Sequence, residues 1–192
     1  MSNEQKNNLR IAVYGMLVAL IVVAIALVVA FTMPAKTSNL NPEEPSEEVN
    51  STAIVFTNPL DTTTVLKGFS ATDLQFNETL NQWEAHKAIC LGAESGANVY
   101  AVFSGVVESV ETSYLQGTTI TIKHNDNLKT VYSSLEEEPQ VKEGDSVAKG
   151  QVIGKVSNSA QAETALGNHL HFEVLKNNVK VDPAEYLMLE NK

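Results

Sequence analysis

The run Gly167-Asn168-His169-Leu170-His171-Phe172-Glu173-Val174 sets two imidazoles two residues apart among apolar neighbours. In an extended strand successive side chains point to opposite faces, so His169 and His171 share one face while Leu170, Phe172 and Val174 share the other. The first face can hold an ion or move protons, because histidine is the commonest metal ligand and a frequent acid or base; the second can enter a core. Either histidine alone would more simply be a satisfied core or surface residue, but the pair with an apolar counter-face favours a shared polar site. Cys90 is the only cysteine, so no intrachain disulfide forms. Three roles are open to its thiol: buried and inert, bonded to another chain, or bound to a metal.

A histidine strand needs neighbours to fix its register, and the sequence supplies several. Val99–Phe103, Val106–Val110, Thr118–Ile122, Thr130–Tyr132, Val152–Val156 and Val179–Val181 are short β-branched or aromatic runs. Turn signals separate them at Ser104-Gly105, Gln116-Gly117, Asn125-Asp126-Asn127 and Asn177-Asn178. Ile54-Val55-Phe56 and Thr63–Leu66 read as two earlier strands, and Trp83 as a packing residue or the rim of a groove, with packing favoured. Close-spaced strands of this kind predict an all-β domain, an antiparallel β-sandwich with little helix. Glu143–Gly154 resembles the hybrid-motif hairpins of biotinyl and lipoyl carrier domains. It offers no hairpin tip displaying a lysine for modification, so the motif is expected to be architectural.

Ahead of this domain lies Ile11–Phe31, 21 residues without charge or proline. As a helix it reaches about 30 Å, the thickness of a bilayer core, and is expected to span a membrane. A cleaved secretory signal is the alternative, but its apolar core is normally about 7 to 15 residues, which favours an uncleaved anchor. Lys6 and Arg10 place residues 1–10 in the cytoplasm by the positive-inside rule, and residues 32–192 outside it. Residues 32–52, with Pro34, Pro42 and Pro45 among four glutamates, read as an extended linker, and residues 53–192 as the exported domain. The chain has 13 Lys+Arg and 23 Asp+Glu; without Lys6, Arg10 and Glu4 the exported part keeps 11 and 22, a net charge of −11. Such an acidic domain offers little phosphate affinity, so nucleic acid is not expected as a partner.

Together these segments resemble the lysostaphin-type zinc metallopeptidases, which cut peptide cross-links in bacterial cell walls and share a duplicated hybrid motif. The likeness runs from about Phe56 to Leu187 and is tightest at His86–Val107 and Gly167–Val174. In that family a His-x-x-x-Asp motif supplies two zinc ligands, which fall here on His86 and Cys90, and the second histidine of a His-x-His motif supplies the third, here His171. His169 matches a residue that assists catalysis. A further catalytic histidine belongs in a run like Tyr-x-His-Leu; Tyr132-Ser133-Ser134-Leu135 carries Ser134 there. His124 matches a position without catalytic duty and is read as structural or surface.

The two departures weigh differently. Thiolate is an accepted zinc ligand, so His86, Cys90 and His171 could still hold zinc. A serine hydroxyl has no useful acid or base pKa near neutrality and is shorter than imidazole, and losing a general acid or base costs about 10²- to 10⁴-fold in rate. Thiolate also weakens zinc as a Lewis acid. The resemblance therefore implies a pseudoenzyme in which His169 is vestigial. The anchor, linker and degenerate domain together resemble the sporulation branch of the family, seated in the forespore membrane. The expected role is adhesion and channel assembly, with a partner from the mother-cell membrane of the ring-building stage III sporulation protein AH type. A zinc endopeptidase acting on peptidoglycan and a cell-division scaffold that activates a wall hydrolase are the alternatives.

Overall fold

The computed structural model describes residues 55–62, 64–125 and 127–189. The expected tail, membrane span and linker lie outside these residues; no described helix is long and apolar enough to cross a membrane. Twelve strands are described: β1 (Thr64–Lys67), β2 (Ser70–Asn77), β3 (Gln82–His86), β4 (Ile89–Gly92), β5 (Asn98–Tyr100), β6 (Gly105–Ser113), β7 (Gly117–Asn125), β8 (Leu128–Leu135), β9 (Ser146–Val147), β10 (Val152–Lys155), β11 (His169–Lys176) and β12 (Val179–Val181). Helix among the described residues is limited to two 3-10 turns, Thr164–Leu166 and Pro183–Glu185.

Every strand pairing is antiparallel. The strands divide unequally, however. Eight belong to one sheet of order β1-β4-β11-β8-β7-β6-β9, with β12 also paired to β11; β5 with β10 and β2 with β3 form separate two-stranded ribbons. The β11 alternation places Leu170, Phe172 and Val174 in the core without exposure. Leu170 pairs with Leu91 of β4 and Phe172 with Tyr132 of β8, whose ring lies 5.2 Å from that of Phe172. Val99 of β5 and Ile153 of β10 join the same buried cluster, so that ribbon covers the apolar side of the sheet.

The hybrid-motif hairpin is built into this core. Val147 and Ile153 are buried, Gly150 takes a positive φ of 80° at the reversal, and its N–H donates to the Ala101 carbonyl. Lys149 donates to the Val55 carbonyl at 2.9 Å. Other expectations need correction. Val55 and Phe56 are not in a strand; Phe56 is buried and its N–H donates to the Tyr186 carbonyl. The strand expected over Val99–Phe103 stops at Tyr100. Trp83 is 66% exposed on the β2–β3 ribbon, opposite Phe76, so it is no core packing residue.

A polar chain ties the segment after β5 to the sheet. The Val102 N–H donates to the Tyr132 hydroxyl at 3.0 Å, which sits 3.0 Å from Thr130 Oγ1, itself 2.8 Å from His124 Nε2. Burial pushes the Tyr132 hydroxyl up to about 12, so it stays protonated. Tyr132→Phe leaves a buried N–H without its acceptor and is expected to lower stability by about 1–3 kcal/mol. Urea denaturation should show a lower midpoint at unchanged slope; an unchanged midpoint would contradict this role.

Candidate metal centre

Strand β11 lies between β4 and β8, and its register sets His171 opposite Cys90 on one side and Ser133 on the other. Directly opposed residues project to the same face, which is why Cys90 Sγ comes within 3.6 Å of His171 Nδ1. His86 arrives from the β2–β3 ribbon. It closes β3, the chain bends at Lys87-Ala88 into β4, and His86 Nε2 then lies 3.4 Å from Cys90 Sγ. The structure thus brings together His86, Cys90 and His171, and His169 joins them from the same face of β11. Cys90 is fully buried among these groups, which argues against a bond to another chain.

Glu163 is the member that sequence reasoning missed. Its carboxylate lies 3.3 Å from His86 Nε2, 3.3 Å from His169 Nε2, 2.7 Å from His171 Nδ1 and 3.7 Å from Cys90 Sγ. The far ring nitrogens are also held. His86 Nδ1 donates to the Gly68 carbonyl at 2.8 Å, His169 Nδ1 to that of Gly167 at 2.8 Å, and His171 Nε2 to Glu173 at 3.1 Å. Lys180 completes the series with a 2.7 Å bond to Glu173. A cleft of about 270 Å³ opens onto this cluster, lined among others by Leu80, His86, Leu115, Glu163, His171 and Lys180.

Electrostatics follow from the crowding. Burial works against charge on every ring, yet Cys90 and Glu163 beside them hold His86 and His169 up at about 9 and His171 well above its ordinary value. Burial likewise opposes the anions, but bonds from the three rings pull Cys90 down to about 6 and Glu163 far below the usual carboxylate range. Glu173, buried as well, is held low by His171 and Lys180.

The position matched to a second catalytic histidine is spent on structure. Ser134 is fully buried with a φ of 63°, its hydroxyl donates to the Ser157 carbonyl at 3.1 Å, and its own carbonyl accepts from the Ser157 hydroxyl at 2.9 Å. No other imidazole replaces it. Of the four histidines in the chain, three form the cluster and His124 donates to the Ser104 carbonyl beside the Phe56 and Phe103 rings. Burial holds the His124 pKa down, as suits a structural residue.

The donor set suits zinc. Bonds of about 2.0–2.3 Å arranged tetrahedrally require donor atoms about 3.3–3.6 Å apart. Cys90 Sγ meets His86 Nε2 at 3.4 Å and His171 Nδ1 at 3.6 Å. All four candidate donor atoms of His86, Cys90, Glu163 and His171 lie within 4.8 Å of one another, a spread wider than a tetrahedral edge that would have to close around an ion. Each candidate ligand ring also has its opposite N–H fixed by an oxygen, the arrangement that would aim a lone pair at a metal.

Comparison with known proteins agrees with this geometry. The model for peptidase family M23 matches residues 84–183, a range that contains every residue of the cluster. Stage II sporulation protein Q of Bacillus subtilis (strain 168) is 37% identical over 109 residues, 56% of this chain and 38% of that protein. The match thus spans well under half of that relative's length. Among solved structures, a chain of the SpoIIQ-SpoIIIAH pore forming complex superposes with a TM-score of 0.61 at 30% identity, covering 69% of this chain and 90% of that one. A zinc containing peptidase from Vibrio cholerae gives 0.59 at 30% identity, over 67% of this chain and 39% of that one.

Glu163 is the carboxylate that faces all three rings. In metal-free protein Glu163→Ala strips a buried ionic group of its counter-charge and is expected to cost about 3–5 kcal/mol at neutral pH. Chemical denaturation of both proteins in the presence of a chelator measures it; a loss below about 1 kcal/mol, the worth of a surface pair, would contradict a central role.

Proposed function

We propose that this chain, which belongs to peptidase family M23, serves as a membrane-anchored interaction module that has kept the peptidase fold and given up its chemistry. The observation that carries this reading is Ser134: buried, hydrogen-bonded to the Ser157 carbonyl, and standing where the family places a catalytic imidazole. No serine hydroxyl takes or gives a proton usefully near neutral pH. His169, the remaining candidate acid or base, is itself turned to Gly167 and Glu163.

Zinc held by His86, Cys90 and His171 would supply Lewis acidity, but a thiolate among its ligands reduces that acidity compared with carboxylate. The residues' own contribution is then to hold a metal and brace the strands that carry it. Residues 11–31 anchor the chain in the forespore membrane with the domain outside the cytoplasm, and the linker 32–52 sets its reach. The partner is an exported, membrane-anchored protein of the SpoIIIAH type. Likeness to a chain of the SpoIIQ-SpoIIIAH complex across 90% of that chain's length supports this choice.

Two assays on the purified chain test the proposal. An SpoIIIAH-type ectodomain should bind it, and cell-wall cross-link peptides incubated with it and zinc should be cleaved no faster than with zinc alone. Sustained cleavage that falls by about 10²-fold or more in His169→Ala would overturn the non-catalytic reading in favour of an altered zinc endopeptidase.

A further inference from the structure

The catalytic form of a zinc site keeps one coordination position for water; the structural form fills all four from the protein. We infer that Glu163 fills the fourth position here, making the centre a closed, structural zinc site. The inference rests on the zinc-binding reading above and extends it.

Distances carry the argument. Besides the two edges from Cys90 to the rings, Glu163 Oε1 lies 3.3 Å from His86 Nε2 and 3.7 Å from Cys90 Sγ. Those two are close to the edges of a tetrahedron whose bonds are about 2.0–2.3 Å long, and the second oxygen, Oε2, meets His171 Nδ1 at 2.7 Å. Charge agrees: a divalent ion with one thiolate, one carboxylate and two neutral imidazoles is neutral, and a neutral group is the form that burial tolerates best. Glu163 is 8% exposed and His86 is 4% exposed, so both carry their donor atoms at the buried floor of the cleft.

The loop holding Glu163 is fixed on both flanks, so the carboxylate is a built ligand and no swinging plug. Gln161 and Ala162 N–H groups donate to the Tyr114 and Leu115 carbonyls of the β6–β7 turn. The Asn77 side chain donates to the Ala162 carbonyl and the Ala165 N–H to Thr79 Oγ1, both on the β2–β3 ribbon. His169 Nε2 lies 3.3 Å from the other carboxylate oxygen, Oε2. His169 is therefore a positioning residue for Glu163. A metal at this point would staple four separate segments: the end of β3, β4, the Glu163 loop and β11.

Cobalt substitution of the full chain tests this without reference to activity. Wild type loaded with Co²⁺ should bind one equivalent, show thiolate-to-cobalt charge transfer and intense tetrahedral d–d bands, and unfold at a higher temperature than metal-free protein. Added azide should leave the spectrum unchanged, because no position is open. Glu163→Ala should bind at least about tenfold more weakly and respond to azide; Glu163→Gln, which preserves shape, should also weaken binding and guards against a folding defect. A wild-type spectrum that shifts with azide as the Glu163 variants do would overturn the closed site while leaving three-ligand zinc binding intact. No bound metal in folded wild type would overturn both.

Discussion

Everything in this domain depends on the two-residue repeat of β11. Because successive side chains face opposite ways, one strand places Leu170, Phe172 and Val174 in the core and His169, His171 and Glu173 against the polar cluster. Its two neighbours extend both faces. Leu91 and Tyr132 continue the core across β4 and β8, while Cys90 and Ser133 flank His171 on the other side. A slip of one residue in either pairing would bring imidazoles into the core and Phe172 into the cleft, so packing and ligand geometry enforce the same register.

Two features set the chemistry of the cluster formed on that face. Where a proton-transferring imidazole belongs, Ser134 and Ser157 bond each other's carbonyls and seal the strand to the neighbouring loop. Where substrate and water would meet a metal, the Glu163 carboxylate touches all three rings and the thiol. Both features cross-link separate segments of the domain.

Much of this was readable from residue types alone. The β11 alternation, the strands from β6 onward and the hybrid-motif hairpin all have strong local patterns: β-branched runs, glycines at reversals and regular turn residues. The β2–β3 ribbon had only a weak one, since Ser70–Asn77 is largely polar and exposed and its apolar alternation is limited to Leu74 and Phe76. Trp83 was misjudged for the same reason, as aromatic character suggests packing while this ribbon has only Phe76 to pack it against. Glu163 was hidden most completely. It sits in a Ser/Ala/Gln-rich loop without periodicity, and its aim comes from backbone bonds to Tyr114 and Leu115, nearly fifty residues away in sequence. The weak signal available was an isolated acid eight residues before His171.

The character of the centre turns on where a metal sits and what surrounds it. Anomalous scattering from crystals of the zinc-loaded chain locates the ion directly. The predicted result is a single peak about 2.0–2.3 Å from His86 Nε2, Cys90 Sγ, His171 Nδ1 and Glu163 Oε1, with no water among its ligands. A zinc ion held by three of these residues with water in the fourth position and Glu163 turned away, or zinc bound elsewhere on the domain, would contradict it.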